Sequence, residues 1–209
     1  MIRVLIADDH PVVRKGLSLI LSAADGIEVA AEAASAQEVL DRLAHTAVDV
    51  LVLDIGMPGR SGLELLQDLR LQYAKLPVLI LSQYPEEQIA VRAIRAGAAG
   101  YLNKESAPDQ LVDAVRRVHQ GRKFLTANLA ELLAITIEGG AGEPHESLSE
   151  REYQVLQMIA SGKAVSDIAA ELHLSVKTVS TYRTRILEKM NLKNNAELTR
   201  YAIQNKLVS

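Results

Sequence analysis

The sequence predicts two domains: an α/β domain built on a parallel sheet, and a smaller domain made only of helices. Between residues 1 and 120 short apolar runs alternate with helical patterns, whereas beyond residue 148 the strand signal disappears. Strands that are apolar throughout are buried on both faces, which indicates a parallel sheet with helices packed on either side. The predicted strands lie near 4–7, 27–31, 48–53, 78–81 and 98–102, and the predicted helices near 12–23, 36–45, 62–73, 86–96 and 109–119.

Residues that favour helix ends support these boundaries. Ser149 is followed three residues later by Glu152, which is the pattern of a capping box at a helix start. Gly97 stands where a helix should stop before the fifth strand. The other predicted start signals are Pro11, Ser61, Pro85, Pro108, Ser175 and Asn194.

A Gly-rich segment separates the two predicted domains. A further helix is predicted from Thr126 to Ile137, and the seven residues from Glu138 to Pro144 are typical of a flexible linker. We therefore expect an α/β domain over residues 1–122, a connecting helix and linker over 123–147, and a four-helix domain over 148–209.

Composition and charge narrow the function classes. The chain has 209 residues, 48% of them hydrophobic, and no cysteine, which excludes disulfides and thiolate metal sites. It has no apolar stretch of about 20 residues and no signal-peptide pattern, so we expect a cytoplasmic protein without a membrane span. The net charge is −3, but residues 148–209 carry 9 Lys and Arg against 6 Asp and Glu. A basic domain attached to an acidic remainder favours nucleic-acid binding.

Polar residues that can bind phosphate and metal follow four of the predicted strands. Asp8 and Asp9 follow the first strand, Asp54 ends the third, Ser82 ends the fourth and Lys104 follows the fifth. The carboxyl ends of parallel strands form one rim of the sheet, so these groups should meet there. Clustered carboxylates need a cation, and hard oxygen ligands suit Mg²⁺. Taken singly, each Asp is more often a helix cap or a turn residue, Ser82 a turn residue and Lys104 a solvated side chain, but the set favours phosphoryl transfer.

The same positions carry a family resemblance. Segments 6–16, 54–64, 81–82 and 97–104 look like a response-regulator receiver domain, a flavodoxin-like fold with strand order 2-1-3-4-5. By position, the resemblance implies that Asp54 is the phosphorylated residue. It also implies that Asp8, Asp9, Asp54 and the backbone carbonyl of Gly56 hold Mg²⁺ or Mn²⁺. Ser82, Tyr101 and Lys104 would bind the phosphoryl group and act as the switch.

A second motif lies in the basic domain. Residues 166–190 have the form of two helices joined by a short turn, with an apolar face on each helix. The polar face of the second helix suits entry into a DNA groove, although many charged helix faces are merely solvated. The candidate DNA-binding residues are Lys177, Thr178, Ser180, Thr181, Arg183, Thr184, Arg185 and Lys189. Segments 148–156, 168–172 and 175–182 are similar to the DNA-binding domain of the NarL/FixJ (LuxR-type) family.

Together the resemblances imply a two-component response regulator that is not an enzyme. A sensor histidine kinase would phosphorylate Asp54, and the protein would bind promoter DNA as a homodimer when phosphorylated or DNA-bound. One alternative keeps the fold but not the phosphorylation switch. Another is a Mg²⁺-dependent aspartyl-type phosphatase. The phosphatase is disfavoured because Gly56 stands where such enzymes need a second acid.

Overall fold

The computed structural model describes residues 1–57, 62–83, 86–138, 144–205 and 207–208. They form two compact units, Met1–Gly140 and Ala141–Ser209. The predicted cap at Ser61, the predicted start at Pro85 and most of the Gly-rich linker lie outside the described residues. Within the described ranges, no helix combines the length and the apolar character needed to cross a membrane.

The first unit is the predicted α/β fold. Its sheet is parallel with strand order β2-β1-β3-β4-β5, as predicted. The middle strand is buried along its whole length, which explains its continuous apolar sequence. The strands are β1 Ile2–Ala7, β2 Ile27–Ala33, β3 Val50–Asp54, β4 Val78–Ser82 and β5 Gly100–Asn103, and the helices are α1 Pro11–Ser22, α2 Ala36–His45, α3 Gly62–Gln72, α4 Glu86–Arg95, α5 Ala107–His119 and α6 Ala127–Glu138.

Side chains from the two faces of this sheet enter separate apolar cores. One core joins the sheet to α1 and α5, and includes Leu21 and Leu111. The other joins the sheet to α2, α3 and α4, and includes Val39 and Leu66. Alternate residues of each strand feed alternate cores, since successive side chains point to opposite faces. Both cores are therefore needed to fix the direction in which the strand ends point.

Helix α6 packs within the first unit, against the core that contains α3 and α4. Leu129 is fully buried in the core that contains α3 and α4, with Leu125 and Leu133 packed against it. The chain reaches this position because Phe124 bridges to Gly100 and runs beside β5. The sequence predicted a helix here, but not this packing.

The second unit contains four α-helices within its described residues, preceded by a 3₁₀ turn at Pro144–Ser147. Ser149 and Glu152 form the predicted capping box, and Ser175 and Asn194 accept hydrogen bonds from Thr178 and Glu197 as helix caps. The helices are α7 Glu150–Ala160, α8 Val165–Glu171, α9 Val176–Lys189 and α10 Asn195–Gln204.

Gly100 offers a test of the packing beside β5. A Cβ atom there would lie 2.8 Å from both the Cβ and the backbone oxygen of Phe124. Because backbone atoms cannot move aside cheaply, we expect Gly100→Ala to destabilise the first unit by about 1–3 kcal/mol. Hydrogen exchange of the β5 amides and urea unfolding of the full chain measure the effect.

Gly16 supplies the matched control. It lies inside α1 with no atom within 4 Å of the position its Cβ would take, so Gly16→Ala should stabilise the helix by roughly 0.5–1 kcal/mol. Equal effects of the two substitutions would contradict the proposed close approach of Phe124 to β5.

Candidate acidic site and recognition helix

The structure brings the predicted acidic site together at the carboxyl rim of the sheet. Asp8 lies just beyond β1, Asp54 ends β3 and Ser82 ends β4, and all three are buried. Their positions follow from the parallel topology, because neighbouring strands end side by side. Two carboxylates and a hydroxyl therefore share one small region that is largely shielded from solvent.

Lys104 links the two buried carboxylates. Its Nζ donates hydrogen bonds to Asp8 Oδ2 at 2.7 Å and to Asp54 Oδ2 at 2.9 Å. Its own backbone N–H donates to the Ser82 carbonyl at 2.8 Å, which fixes the loop after β5 to the end of β4. Charge-assisted bonds of this kind are short and strong, so Lys104 holds the rim together.

The protein environment shifts the pKa of both Asp54 and Lys104. Burial raises the pKa of the Asp54 carboxyl above its ordinary value, although Lys104 and the Gly56 N–H partly offset the shift. Burial alone would lower the pKa of the Lys104 ammonium, but Asp54 and Asp8 outweigh it and hold that pKa above its ordinary value. At neutral pH the lysine is therefore a fixed positive charge against the Asp54 carboxyl.

The acidic residues also fit a divalent cation. Carboxylate oxygens of Asp8, Asp9 and Asp54 and a ring nitrogen of His10 all lie within 4.8 Å of one another. Asp9 Oδ1 is buried and accepts no hydrogen bond from the described residues, although His10 Nδ1 lies 2.9 Å from it. A buried oxygen left without a donor is costly unless a cation binds it, and an oxygen-rich set suits Mg²⁺.

Gly56 belongs to the same site through its backbone. Its N–H donates to Asp54 Oδ1 at 2.9 Å, and a Cβ atom at this position would lie 3.4 Å from that oxygen. This hydrogen bond orients the Asp54 carboxyl through Oδ1, whereas Lys104 bonds Oδ2.

Tyr101 lies in the apolar core. Its side chain is fully buried in the cluster that also contains Leu129 of α6. Its backbone N–H donates to the Phe124 carbonyl at 3.3 Å. The residue predicted as part of the switch thus shares a core with α6. The apolar character of residues 127–138 was the available sign that this helix is covered.

Helix α9 presents most of the candidate DNA-binding residues to solvent. Its N-terminal cap is Ser175, and Val179 and Ile186 anchor it in the core of the second unit. The hydroxyls of Thr181 and Thr184 donate to backbone carbonyls one turn earlier, at 2.9 and 3.1 Å, which leaves their oxygens able to accept from a ligand. Lys177, Ser180, Thr181, Thr184, Arg185 and Lys189 are exposed, and Thr178 and Arg183 are half-buried.

Among the described residues, two of these candidates bond side chains of neighbouring helices in the same unit. Arg183 Nε donates to Asn195 Oδ1 at 2.6 Å, at the start of α10. Lys189 Nζ lies 2.6 Å from Oε2 of Glu152, which is buried. The geometry therefore gives Lys189 a role in joining α9 to α7. The capping box marked Glu152 in the sequence, but nothing there indicated its pairing with Lys189.

The environment of Glu152 favours its charged form. Burial would raise the pKa of this carboxyl, but its hydrogen bonds with Lys189 and with the Ser149 N–H outweigh burial and hold the pKa below its ordinary value. The carboxylate thus serves as both a helix cap and an ion-pair partner.

Comparison with known proteins places both units in described families. A family model for the response regulator receiver domain matches residues 4–116. A second model, for bacterial regulatory proteins of the luxR family, matches residues 146–202.

Relatives of similar length match the whole chain. The response regulator UvrY of Escherichia coli K12 is 39% identical over 99% of this chain and 96% of UvrY. The crystal structure of ChrA, a response regulator of a heme-sensing two-component system, is 36% identical with a TM-score of 0.53, over 99% of this chain and 98% of ChrA.

The RcsB response regulator of Salmonella typhimurium is 27% identical with a TM-score of 0.60, over 96% of this chain and 97% of RcsB. RcsB has also been solved in complex with DNA, including two dimers on two parallel DNAs. The two family matches, in this order and over nearly the whole length of a relative, show that the chain is a two-component response regulator of the NarL/FixJ family, with a receiver domain and a LuxR-type DNA-binding domain.

Proposed function

We propose that a sensor histidine kinase phosphorylates this protein on Asp54, and that the phosphorylated form regulates transcription by binding promoter DNA through α9. The observation that carries the proposal is the bridge from Lys104 to Asp8 and Asp54, at 2.7 and 2.9 Å. One fixed positive charge lies against the acceptor carboxyl, and phosphoryl transfer needs such a charge where negative charge develops.

The residues of the rim have distinct roles in this transfer. An oxygen of Asp54 bonds to phosphorus while the phosphorus–nitrogen bond of a phosphohistidine breaks, and the leaving imidazole takes up a proton. The Lys104 ammonium then pairs with one phosphoryl oxygen and the Ser82 hydroxyl donates to another. Asp8, Asp9, Asp54 and the Gly56 carbonyl would hold Mg²⁺ or Mn²⁺, which neutralises charge on the transferred group.

The proposed domain limits are a receiver at 1–122, a connecting helix and linker at 123–147, and a DNA-binding domain at 148–209. The family matches at 4–116 and 146–202 lie close to these limits. Tyr101, which lies within β5, acts with Ser82 as the switch, and the full burial of its side chain supports this role. We further propose a cytoplasmic homodimer on DNA, by analogy with the RcsB dimers.

Phosphorylation should be confined to Asp54. Acetyl phosphate with Mg²⁺ should add about 80 Da, the mass of one phosphoryl group, to the wild-type chain and nothing to Asp54→Asn, because among the described carboxylates Asp54 is the one that both Lys104 and Gly56 bond. Intact-mass spectrometry measures the addition. The control is Asp113→Asn, which changes an exposed acid paired with Arg117 and should be labelled normally. Full labelling of Asp54→Asn would contradict the assignment of Asp54 as the phosphorylated residue.

Substitutions on α9 should separate phosphate contacts from base contacts. Lys177→Ala should weaken binding to all duplexes and reduce the slope of log affinity against log salt by about 1, the value for one lost phosphate contact. Thr181→Ala should instead change the bases preferred in selection from a randomised library. Lys75→Ala, an exposed lysine of the receiver, is the control and should change neither. Identical effects of the two α9 substitutions would contradict these assignments.

Lys189 should act through stability rather than through DNA. Lys189→Met leaves a buried carboxylate without its partner and should destabilise the second unit by roughly 1–3 kcal/mol, a range kept low because Lys189 is partly exposed. The salt slope of binding by the folded fraction should stay at the wild-type value. A slope reduced as much as in Lys177→Ala would instead make Lys189 a phosphate contact.

The same pair predicts a pH dependence. Because the pKa of Glu152 is lowered by folding, its contribution to stability is present above the unfolded pKa and is lost as the pH falls through the folded pKa. The stability difference between wild type and Lys189→Met should therefore shrink in acid. Urea unfolding at a series of pH values measures it, and a difference independent of pH would contradict the ion-pair explanation.

A further inference from the structure

The imidazole of His10 lies beside the carboxylates of the acidic site. We propose that the His10 imidazole supplies a nitrogen ligand to the divalent cation, so that the site binds Mn²⁺ and Ni²⁺ more tightly than its oxygen ligands alone would allow. The proposal rests on the cation site of the proposed function and adds to it a determinant of which cation is held.

The backbone fixes the position of this imidazole. His10 is the N-cap residue of α1, with φ −88° and ψ 110°, and its N–H donates to Asp8 Oδ1 at 2.8 Å. Its side chain makes no capping hydrogen bond to the helix. The N-cap backbone therefore holds His10 next to Asp8, and the imidazole takes no part in helix capping.

The ring nitrogen is close to both acids at the end of β1. Nδ1 lies 2.9 Å from Asp9 Oδ1 and 3.3 Å from Asp8 Oδ1. Although Nδ1 and Asp9 Oδ1 are close, Asp9 Oδ1 accepts no hydrogen bond from the described residues. The two atoms are therefore in contact without the alignment of a hydrogen bond. A nitrogen this near to two carboxylate oxygens is within reach of an ion that binds them, because ligand atoms around one metal are themselves only a few ångströms apart.

A nitrogen ligand changes the choice of cation. Mg²⁺ prefers oxygen ligands and keeps several waters, so an imidazole adds little to its affinity. Imidazole suits later first-row cations, and affinity for mixed nitrogen and oxygen sites rises from Mn²⁺ to Ni²⁺. The side chain of His10 is 66% exposed, which leaves room for the small rotation that would bring Nδ1 onto an ion. The expected signature is therefore a loss of Ni²⁺ and Mn²⁺ affinity, but not of Mg²⁺ affinity, when the imidazole is removed.

Calorimetric titration of the untagged full chain with each cation alone provides the test. His10→Ala should bind Ni²⁺ roughly 10- to 100-fold more weakly than wild type, with a smaller loss for Mn²⁺, and should keep its Mg²⁺ affinity. Electron spin-echo spectroscopy of the Mn²⁺-loaded protein should show nitrogen coupling that disappears in His10→Ala. His45→Ala, which changes a histidine at the end of α2, is the matched control and should keep both properties.

The outcomes separate this inference from the proposed function. Nitrogen coupling that is absent from the wild type, or that persists in His10→Ala, overturns the ligand role. Increased Mg²⁺ affinity in His10→Ala also overturns it, because His10 would then compete with the cation instead of binding it. Asp9→Asn tests the site itself: if it leaves all three cations bound as in wild type, the acidic site is not where they bind and the proposed function loses its cation site.

Discussion

Two carboxylates buried at the end of a sheet would repel each other, and the Lys104 ammonium is the group that holds them at the same rim. It bonds Asp8 and Asp54 from a loop whose backbone is tied to the end of β4. An unpaired buried charge costs several kcal/mol in proteins, so the charge of Lys104 is what offsets the burial of these carboxylates. As a consequence, the charges of Lys104, Asp8 and Asp54 stabilise one another, and removal of any one of these side chains changes the electrostatic environment of the other two.

The remainder of the first unit positions the side chains of Lys104, Asp8 and Asp54 close to one another. Parallel pairing sets the ends of β1, β3 and β4 side by side, and two apolar cores prevent the strands from rotating. The Gly56 N–H then orients the Asp54 carboxyl from its other oxygen. Rigid strands place the carboxyl groups, and short loops supply the donors, which is the usual division between scaffold and site in parallel α/β folds.

The parts that could be predicted from the sequence are those with a local or periodic cause. The strand positions, the helix caps and the meeting of Asp8, Asp54 and Lys104 follow from hydrophobic periodicity, capping patterns and the rule for strand ends. The strand order came instead from the resemblance to receiver domains. The Glu152–Lys189 pair could not be predicted, because its partners are 37 residues apart and meet only when α7 packs on α9.

The packing partner of α6 could not be predicted from the sequence for a related reason. A helix that is apolar on most sides is predicted to be covered, but the pattern does not say by what. Phe124 decides it, by running beside β5 through a bridge to Gly100. His10 was passed over because a histidine at a helix start has no distinctive spacing, and its closeness to Asp8 and Asp9 depends on the backbone geometry of the N-cap.

The position of α6 bears on how the structural effect of a chemical change at Asp54 could be transmitted beyond the receiver. The core that contains Tyr101 also contains Leu129, and both residues are fully buried. Well-packed interiors respond to a displaced side chain by moving between discrete arrangements, because no empty space is available to absorb it. If Ser82 and Tyr101 shift when Asp54 is phosphorylated, α6 is therefore among the elements whose packing must adjust. The chain leaves the receiver through this helix, so a change in its packing lies directly on the covalent path to the DNA-binding domain.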